Sequence, residues 1–421
     1  MPPEAADRYT SRVIFVLILV AQFVGSLGLF SLGALAPLMR AALHLSREQC
    51  GAMSATCLFG AVCACLPTGW LADRVGVRWL LIAGQGMSGV ALVALLLKPT
   101  YGILLVGMLC VGVAYGMTMV LTTKALADWF PRERRATVIG AKFLAHSSAG
   151  SVAGLVLPTV ALELGWRQAF AVVGGLLLAT AGCALCGYHD RRQARPPIAP
   201  QVAATGRRLW RDPHFRRLLV TGFLFGGAFF TFTGYLTLYL HERLGYTPVL
   251  AGSLLALAHG AAAASRVPYG WVSDRWLRGD RRILLRGMMI VAIGALLALL
   301  LLPPGTPTPV LAMVILLYGV SGLAPGGLYH TLATEQAGRD TQGFGAGLAS
   351  TLLQLGGAAT PRMFGALVDA TGSYTAAWGL LVLGLLGALG LLGPARSVRV
   401  PCSHLPTRPS PPVAPAPTKN P

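Results

Sequence analysis

Gly69–Arg78 reads GWLADRVGVR, and about two hundred residues later Gly270–Arg282 reads GWVSDRWLRGDRR. In each copy a Gly-Trp pair ends an apolar run, an Asp-Arg pair follows (Asp73 and Arg74; Asp274 and Arg275), and further glycine and arginine residues precede the next run. A second set of landmarks, Gly150 with Gly165 and Gly357 with Gly372, repeats at the same internal spacing. A repeat this long marks two duplicated bundles, not a solenoid of short units.

The solvent follows from composition. The chain of 421 residues is 54% hydrophobic and only 12% charged, with a mean hydropathy of +0.64, which excludes an ordinary water-soluble globule. In lipid every backbone polar group must be satisfied within its own segment, so long apolar runs are spanning helices. Twelve are present, near 13–39, 50–71, 78–97, 102–124, 136–161, 167–188, 218–240, 248–270, 283–302, 309–330, 343–368 and 375–393. The expected fold is therefore an all-α membrane protein of 12 transmembrane helices in two pseudo-symmetric six-helix bundles. Its parts are an amino-terminal segment (1–12), a first bundle (13–188), a polar linker (189–217), a second bundle (218–393) and a Pro-rich tail (394–421) that is expected to be disordered.

A net charge of +19 would suggest nucleic acid in a soluble protein. Here the cations sort by loop. The linker carries Arg191, Arg192, Arg195, Arg207, Arg208, Arg211, Arg216 and Arg217, whereas the other face holds only Arg40, Arg47, Lys98, Arg167 and Arg243. The excess places the linker and both termini in the cytoplasm, with lipid as the medium and no nucleic-acid partner. The first run is too long for a signal peptide and has no small-residue cleavage site after it. Seven of the eight cysteines lie in or beside apolar runs, and the CxxC spacing of Cys183 and Cys186 has no further ligands near it. No nucleotide-binding glycine loop, metal cluster or nucleophile–base pair is present, so neither an enzyme nor a cofactor is expected.

Other local signals set boundaries. Ser46 with Gln49 has capping-box spacing before the second run. Gly107, Gly112 and Gly116, and the glycines from Gly343 to Gly365, provide small surfaces for close helix packing. Trp129 and Phe130 suit a membrane interface, and Pro131 stops the helix before a basic cluster.

The doubled loop, the twelve runs and the central linker resemble the major facilitator superfamily. That resemblance implies two bundles rocking about a midplane substrate site, with Gly69, Asp73, Arg74, Gly76, Arg78 and, in the second copy, Gly270, Asp274 and Arg275 forming the gating loops. Asp73 is expected to meet the positive amino end of a helix in the other bundle. Within the superfamily, Trp129-Phe130 with Arg134-Arg135, followed by Gly165-Trp166-Arg167-Gln168-Ala169-Phe170, is similar to organic-anion and monocarboxylate porters. Arg266, four residues before Gly270, stands where those porters receive a carboxylate, and cations in both the eighth and eleventh runs (Arg266 and Arg362) resemble oxalate:formate exchangers. Three positions depart from these patterns. Ala262 replaces the proton-carrying aspartate, the first run has no lysine between Arg12 and Arg40, and the fifth lacks the Gly-Pro pair of drug:proton antiporters.

The ionisable residues inside the runs are Lys142, Arg266 and Arg362, all basic, with His146 one turn after Lys142 and His259 two turns before Arg266. A cation at mid-membrane costs roughly 3 kcal/mol on insertion scales, so each needs a cavity, a partner or a route to the surface. Lys142 is also within snorkelling reach of the interface. Aromatic and hydroxyl side chains from Phe229 to Tyr239 and at Tyr318, Ser321, Tyr329 and His330 are placed to meet the apolar part of a substrate. The expectation is a secondary transporter for a small organic anion, a monocarboxylate or similar acid, with protons as one candidate coupling ion. Two alternatives stand beside it: an inorganic anion (nitrate or cyanate) porter, and a sensor of the same fold that does not transport.

Overall fold

The computed structural model describes residues 3–97, 100–190, 208–277, 280–338 and 341–393. Most of the linker and the whole tail (394–421) lie outside the described residues. Among those described, secondary structure is helical throughout, with no strand. The first bundle comprises α1 (Pro3–Leu43), α2 (Arg47–Val75), α3 (Val77–Ala94), α4 (Tyr101–Trp129), α5 (Arg132–Leu164) and α6 (Trp166–Gly187). The second comprises α7 (Pro213–Glu242), α8 (Pro248–Arg275), α9 (Arg281–Leu301), α10 (Thr308–Tyr318), α11 (Gly326–Ala337), α12 (Gln342–Thr371) and α13 (Tyr374–Leu391).

α10 and α11 form one span, joined by a π-turn at Gly319–Leu323. Ten spans are long and apolar enough to cross a bilayer, and α2, bent at Pro67, makes an eleventh. The remaining helix, α12, has 30 residues but many glycines and polar groups. Its position explains that composition: a side chain at Gly356 would collide with the Phe223 carbonyl of α7, and one at Gly365 with the Arg47 carbonyl of α2. α12 is enclosed by protein on two sides and needs little lipid-facing surface. Elsewhere the lipid face is apolar, with Val16, Phe59, Val106, Leu155, Ile290 and Leu383 exposed.

Two boundaries differ from expectation. α1 begins at Pro3, inside the segment assigned to the amino terminus, and α7 begins at Pro213, inside the segment assigned to the linker. Hydropathy marks only the lipid-embedded part of a helix, whereas backbone hydrogen bonding continues into polar residues. Asp212 caps α7 by accepting from the His214 amide at 2.9 Å. The expected capping box at Ser46 and Gln49 is formed.

The duplication is visible in packing. In the first bundle Gly112 and Gly116 of α4 lie against the carbonyls of Cys57 and Ala61 in α2; in the second, Gly319 lies against the carbonyl of Ala258 in α8. Each contact is too close for a Cβ, so the same helix pair approaches closely in both bundles. Between bundles α2 packs on α12, α5 on α8 and α1 on α7, again through glycines: Gly51 against Pro361, Gly154 against Gly252 and Gly33 against Thr233.

Candidate functional site

Near the middle of the molecule, α1, α4, α5, α8 and α11 bring together one lysine, one arginine and three histidines. Phe143 of α5 is the hub. The Arg266 guanidinium carbon stands 5.9 Å from its ring centre, the Lys142 ammonium 5.5 Å, and the His330 ring stacks on it at 6.3 Å. Arg266 Nη1 also donates to the Phe143 carbonyl at 2.8 Å, a bond between bundles. Its Nε is buried without a partner.

Lys142 is 2% exposed, so it does not snorkel. Its ammonium instead donates to the Met119 carbonyl at 2.7 Å and to the Thr123 hydroxyl, both on α4. Two of its three donors are thereby used. Among the described residues no carboxylate pairs with either Lys142 or Arg266.

The two predicted histidines both meet Phe30 of α1, whose ring centre is 5.0 Å from His146 and 4.6 Å from His259. Nδ1 of His146 is 2.8 Å from the Ser26 hydroxyl, which donates in turn to the Gln22 carbonyl at 2.7 Å. Thr122 donates to the Gln22 side chain at 2.9 Å, completing a buried polar chain from α5 through α1 to α4. His259 Nε2 is buried without a partner, and the imidazole occupies the space that a Cβ at Gly150 would take. Glycine at 150 is thus what admits His259 between the bundles.

Arg362 does not join this cluster. Its side chain is 64% exposed and pairs with Glu48 at 3.0 Å, at the face opposite the linker. The error came from depth alone: Arg362 lies only about two turns from the outer end of α12, and α2 presents a carboxylate there. It belongs to a set of ion pairs that joins the bundles at that face. Glu242 of α7 binds Arg40 and Arg47 of the first bundle, the latter at 2.8 Å, and accepts from Tyr374 at 2.8 Å. Asp369 of α12 accepts from the Glu48 amide at 2.8 Å and pairs with Arg47 at 3.4 Å. Every interbundle ion pair among the described residues lies on this face. That face, opposite the linker, is closed.

The gating loop follows from that state. Asp73 pairs with Lys124 of α4, in its own bundle, and not with a helix of the other bundle as expected. With the bundles held together at the far face, the positive helix end within reach of the loop is in the same bundle. It is the start of α3, and Asp190 takes it, accepting from Val77 N at 2.8 Å and Arg78 N at 3.3 Å. Gly76 has a φ of 95°, and a Cβ there would strike Asp190, so glycine is required on both counts. Arg78 donates to the Leu185 carbonyl, and Arg74 lies 3.8 Å over the Trp70 ring. In the second copy Gly270 and Arg275 remain helical, Asp280 caps α9 through Arg282 N, and the Asp274 side chain lies outside the described residues.

Phe143, Phe30 and Ser26 carry no signal in the sequence that singles them out. The only hint for Phe143 was its position next to Lys142. The ring of acids and arginines was visible as charges at the ends of runs, without their pairing.

A profile of the Major Facilitator Superfamily matches residues 18–361. The chain belongs to that superfamily. It is 24% identical over 387 residues to a probable sulfoacetate transporter of Cupriavidus necator, covering 87% of this chain and 89% of that one. It is 27% identical to a probable nitrate/nitrite transporter of Mycobacterium tuberculosis (86% and 90% covered), and 26% identical to monocarboxylate transporter 13 of Bos taurus (76% and 74%). Among solved structures, an inward-facing, occupied bacterial homologue of the lysosomal transporter Spinster superposes with a TM-score of 0.71 at 14% identity, covering 90% of this chain and 95% of that one. The protein is thus a multi-pass membrane transporter of a small molecule, and not an enzyme.

The closed face can be tested. Glu242→Gln removes the charge that holds Arg40 and Arg47, and charge-assisted hydrogen bonds contribute about 1.5–3 kcal/mol each. A loss of about 2 kcal/mol shifts the closed-face population roughly 30-fold. Spin labels at Leu164→Cys and Thr371→Cys, in a background without native cysteines, should show a longer interbundle distance in Glu242→Gln. An unchanged distribution would mean that the glycine contacts alone keep the face shut.

Proposed function

We propose that this transporter carries a small organic anion, a monocarboxylate or similar acid, by alternating access about the Phe143 cluster. The observation that supports it is a pair of cations, Lys142 and Arg266, beside one aromatic ring with no carboxylate partner among the described residues. A positive site without protein counter-charge favours a bound anion. The guanidinium fork, with Nε unpartnered, suits two-point recognition of a carboxylate. Phe143, Phe30 and Phe229 supply an apolar lining for its carbon skeleton. The sulfoacetate and monocarboxylate relatives carry anions of this class by their names, and the nitrate/nitrite relative keeps the inorganic alternative in view.

The reading includes orientation and coupling. The arginine-rich linker face is assigned to the cytoplasm, so the state described opens inward. In the absence of a buried carboxylate at Ala262, a co-transported proton would ride on His146 or His259, or on the substrate.

The deciding experiment is uptake of labelled lactate, pyruvate, oxalate, sulfoacetate and nitrate into proteoliposomes. Saturable uptake of a carboxylate or sulfonate, competed weakly by nitrate, is expected; uptake of nitrate alone transfers the assignment to inorganic anions. Binding of an anion without flux would instead identify a sensor. In His146→Gln/His259→Gln the pH dependence of uptake should flatten if either imidazole carries the proton; a profile unchanged from wild type removes both from the coupling.

A further inference from the structure

A second, separate site lies at the linker face of the second bundle. A cavity of about 160 Å³ opens there between the start of α7, the start of α9, the end of α11 and the end of α13. Its polar lining is Arg217, Arg282, His214 and Gln336, and its apolar lining is Leu218, Leu391 and Leu392. The walls are tied together, because Arg286 of α9 donates to the Gly393 carbonyl at the end of α13.

Among the described residues the charge in this cavity is unbalanced. Among the described residues, neither Arg217 nor Arg282 pairs with a carboxylate. The nearby acids among the described residues are engaged elsewhere: Glu335 with Arg281 at 2.9 Å, Asp212 with the His214 amide at 2.9 Å, and Asp280 with the Arg282 amide at 3.1 Å. The Gln336 amide oxygen is buried with no partner. Neither the linker segment 191–211 nor the tail 394–421 contains an Asp or Glu.

We infer that this cavity binds a phosphate-bearing anion, the headgroup of an anionic phospholipid. Two guanidinium groups offer paired donors to the non-bridging phosphate oxygens. The unpartnered Gln336 oxygen can accept from a headgroup hydroxyl, such as that of a glycerol. The three leucines continue the polar lining into an apolar one, as an amphiphile requires and a fully solvated ion does not. Basic pockets between membrane helices at an interface bind such headgroups for the same reasons. The site lies on the second bundle alone, so occupancy is compatible with rocking of the first.

The test uses the purified full-length protein in detergent, with lipid retention read by native mass spectrometry. Wild type should retain one phosphatidylglycerol under conditions that strip phosphatidylcholine. Arg217→Gln/Arg282→Gln should retain roughly ten- to thirty-fold less, at about 1 kcal/mol per cation removed. Arg217→Lys/Arg282→Lys, which keeps the charge, should retain most of it. Millimolar inorganic phosphate separates the two sources of the ligand: displacement of the lipid means that phosphate alone fills the site, and no displacement means that the glycerolipid is the ligand. Equal retention of both lipids by wild type, or undiminished phosphatidylglycerol in the glutamine variant, overturns the assignment. Should the glutamine variant fail to fold, the lipid preference of wild type decides by itself.

Discussion

Under the proposed function, carboxylate uptake should fall by roughly two orders of magnitude in Arg266→Gln. The arithmetic rests on two charge-assisted hydrogen bonds, each about 1.5 kcal/mol or more, so that about 3 kcal/mol is lost and kcat/KM drops by about 150-fold. Arg266→Lys keeps the charge but loses both the fork and the bond to the Phe143 carbonyl, so a fall of roughly ten-fold is expected. The control is Arg362→Gln. Arg362 is exposed and paired with Glu48, and exposed pairs contribute at most about 1 kcal/mol, so uptake should change no more than about five-fold. Initial-rate uptake across substrate concentrations in proteoliposomes checks all three variants. Equal losses at Arg266 and Arg362 would sink the assignment of the central arginine to substrate.

Gly51→Leu should abolish transport while leaving the protein folded. Gly51 of α2 lies where a Cβ would meet the Pro361 carbonyl of α12 and the Tyr235 hydroxyl of α7, both in the other bundle. A leucine there cannot be accommodated with the far face shut, yet it costs nothing when the bundles part. The variant is therefore held open at that face, and the alternating cycle stops. Cys50 reports the state directly. It is 8% exposed and lines a small crevice of about 10 Å³ with Leu32, Met39, Met53 and Gly234, at the junction of the two bundles. A membrane-impermeant thiol reagent should modify Cys50 slowly in wild type and at least ten-fold faster in Gly51→Leu, read by peptide mass spectrometry. Protection of Cys50 in the variant, together with normal uptake, would mean that α2 and α12 can repack without parting.

These two residues differ in how far they could be read from the chain. Arg266 stood out as an arginine inside an apolar run, at a fixed distance from the second Gly-Trp loop. Gly51 carried no signal, because a glycine near a helix end has the same sequence appearance whether it faces lipid, its own bundle or the other one. The histidines fall between the two cases. Their helical spacing from Lys142 and Arg266 was legible, but their shared contact with Phe30 was not.

The sequence by itself determined the medium, the crossings and the duplication. These depend on local quantities: the cost of burying backbone in lipid, the length of an apolar run, the sorting of arginines by loop and the repetition of a ten-residue motif. It also determined that the membrane-embedded charges are basic. Tertiary structure decided which of them meet. Lys142 and Arg266 come from different bundles, and only the packing of α5 on α8 brings Arg266 to Phe143, the neighbour of Lys142. Arg362, at a similar apparent depth, is turned instead to Glu48. The partner of Asp73 was likewise outside the reach of sequence, since it depends on which face is closed, and that is set by Arg40, Arg47, Glu242 and Asp369 at the far end of the molecule. Pairings between residues hundreds of positions apart are fixed by helix rotation and bundle angle, and no local pattern encodes either.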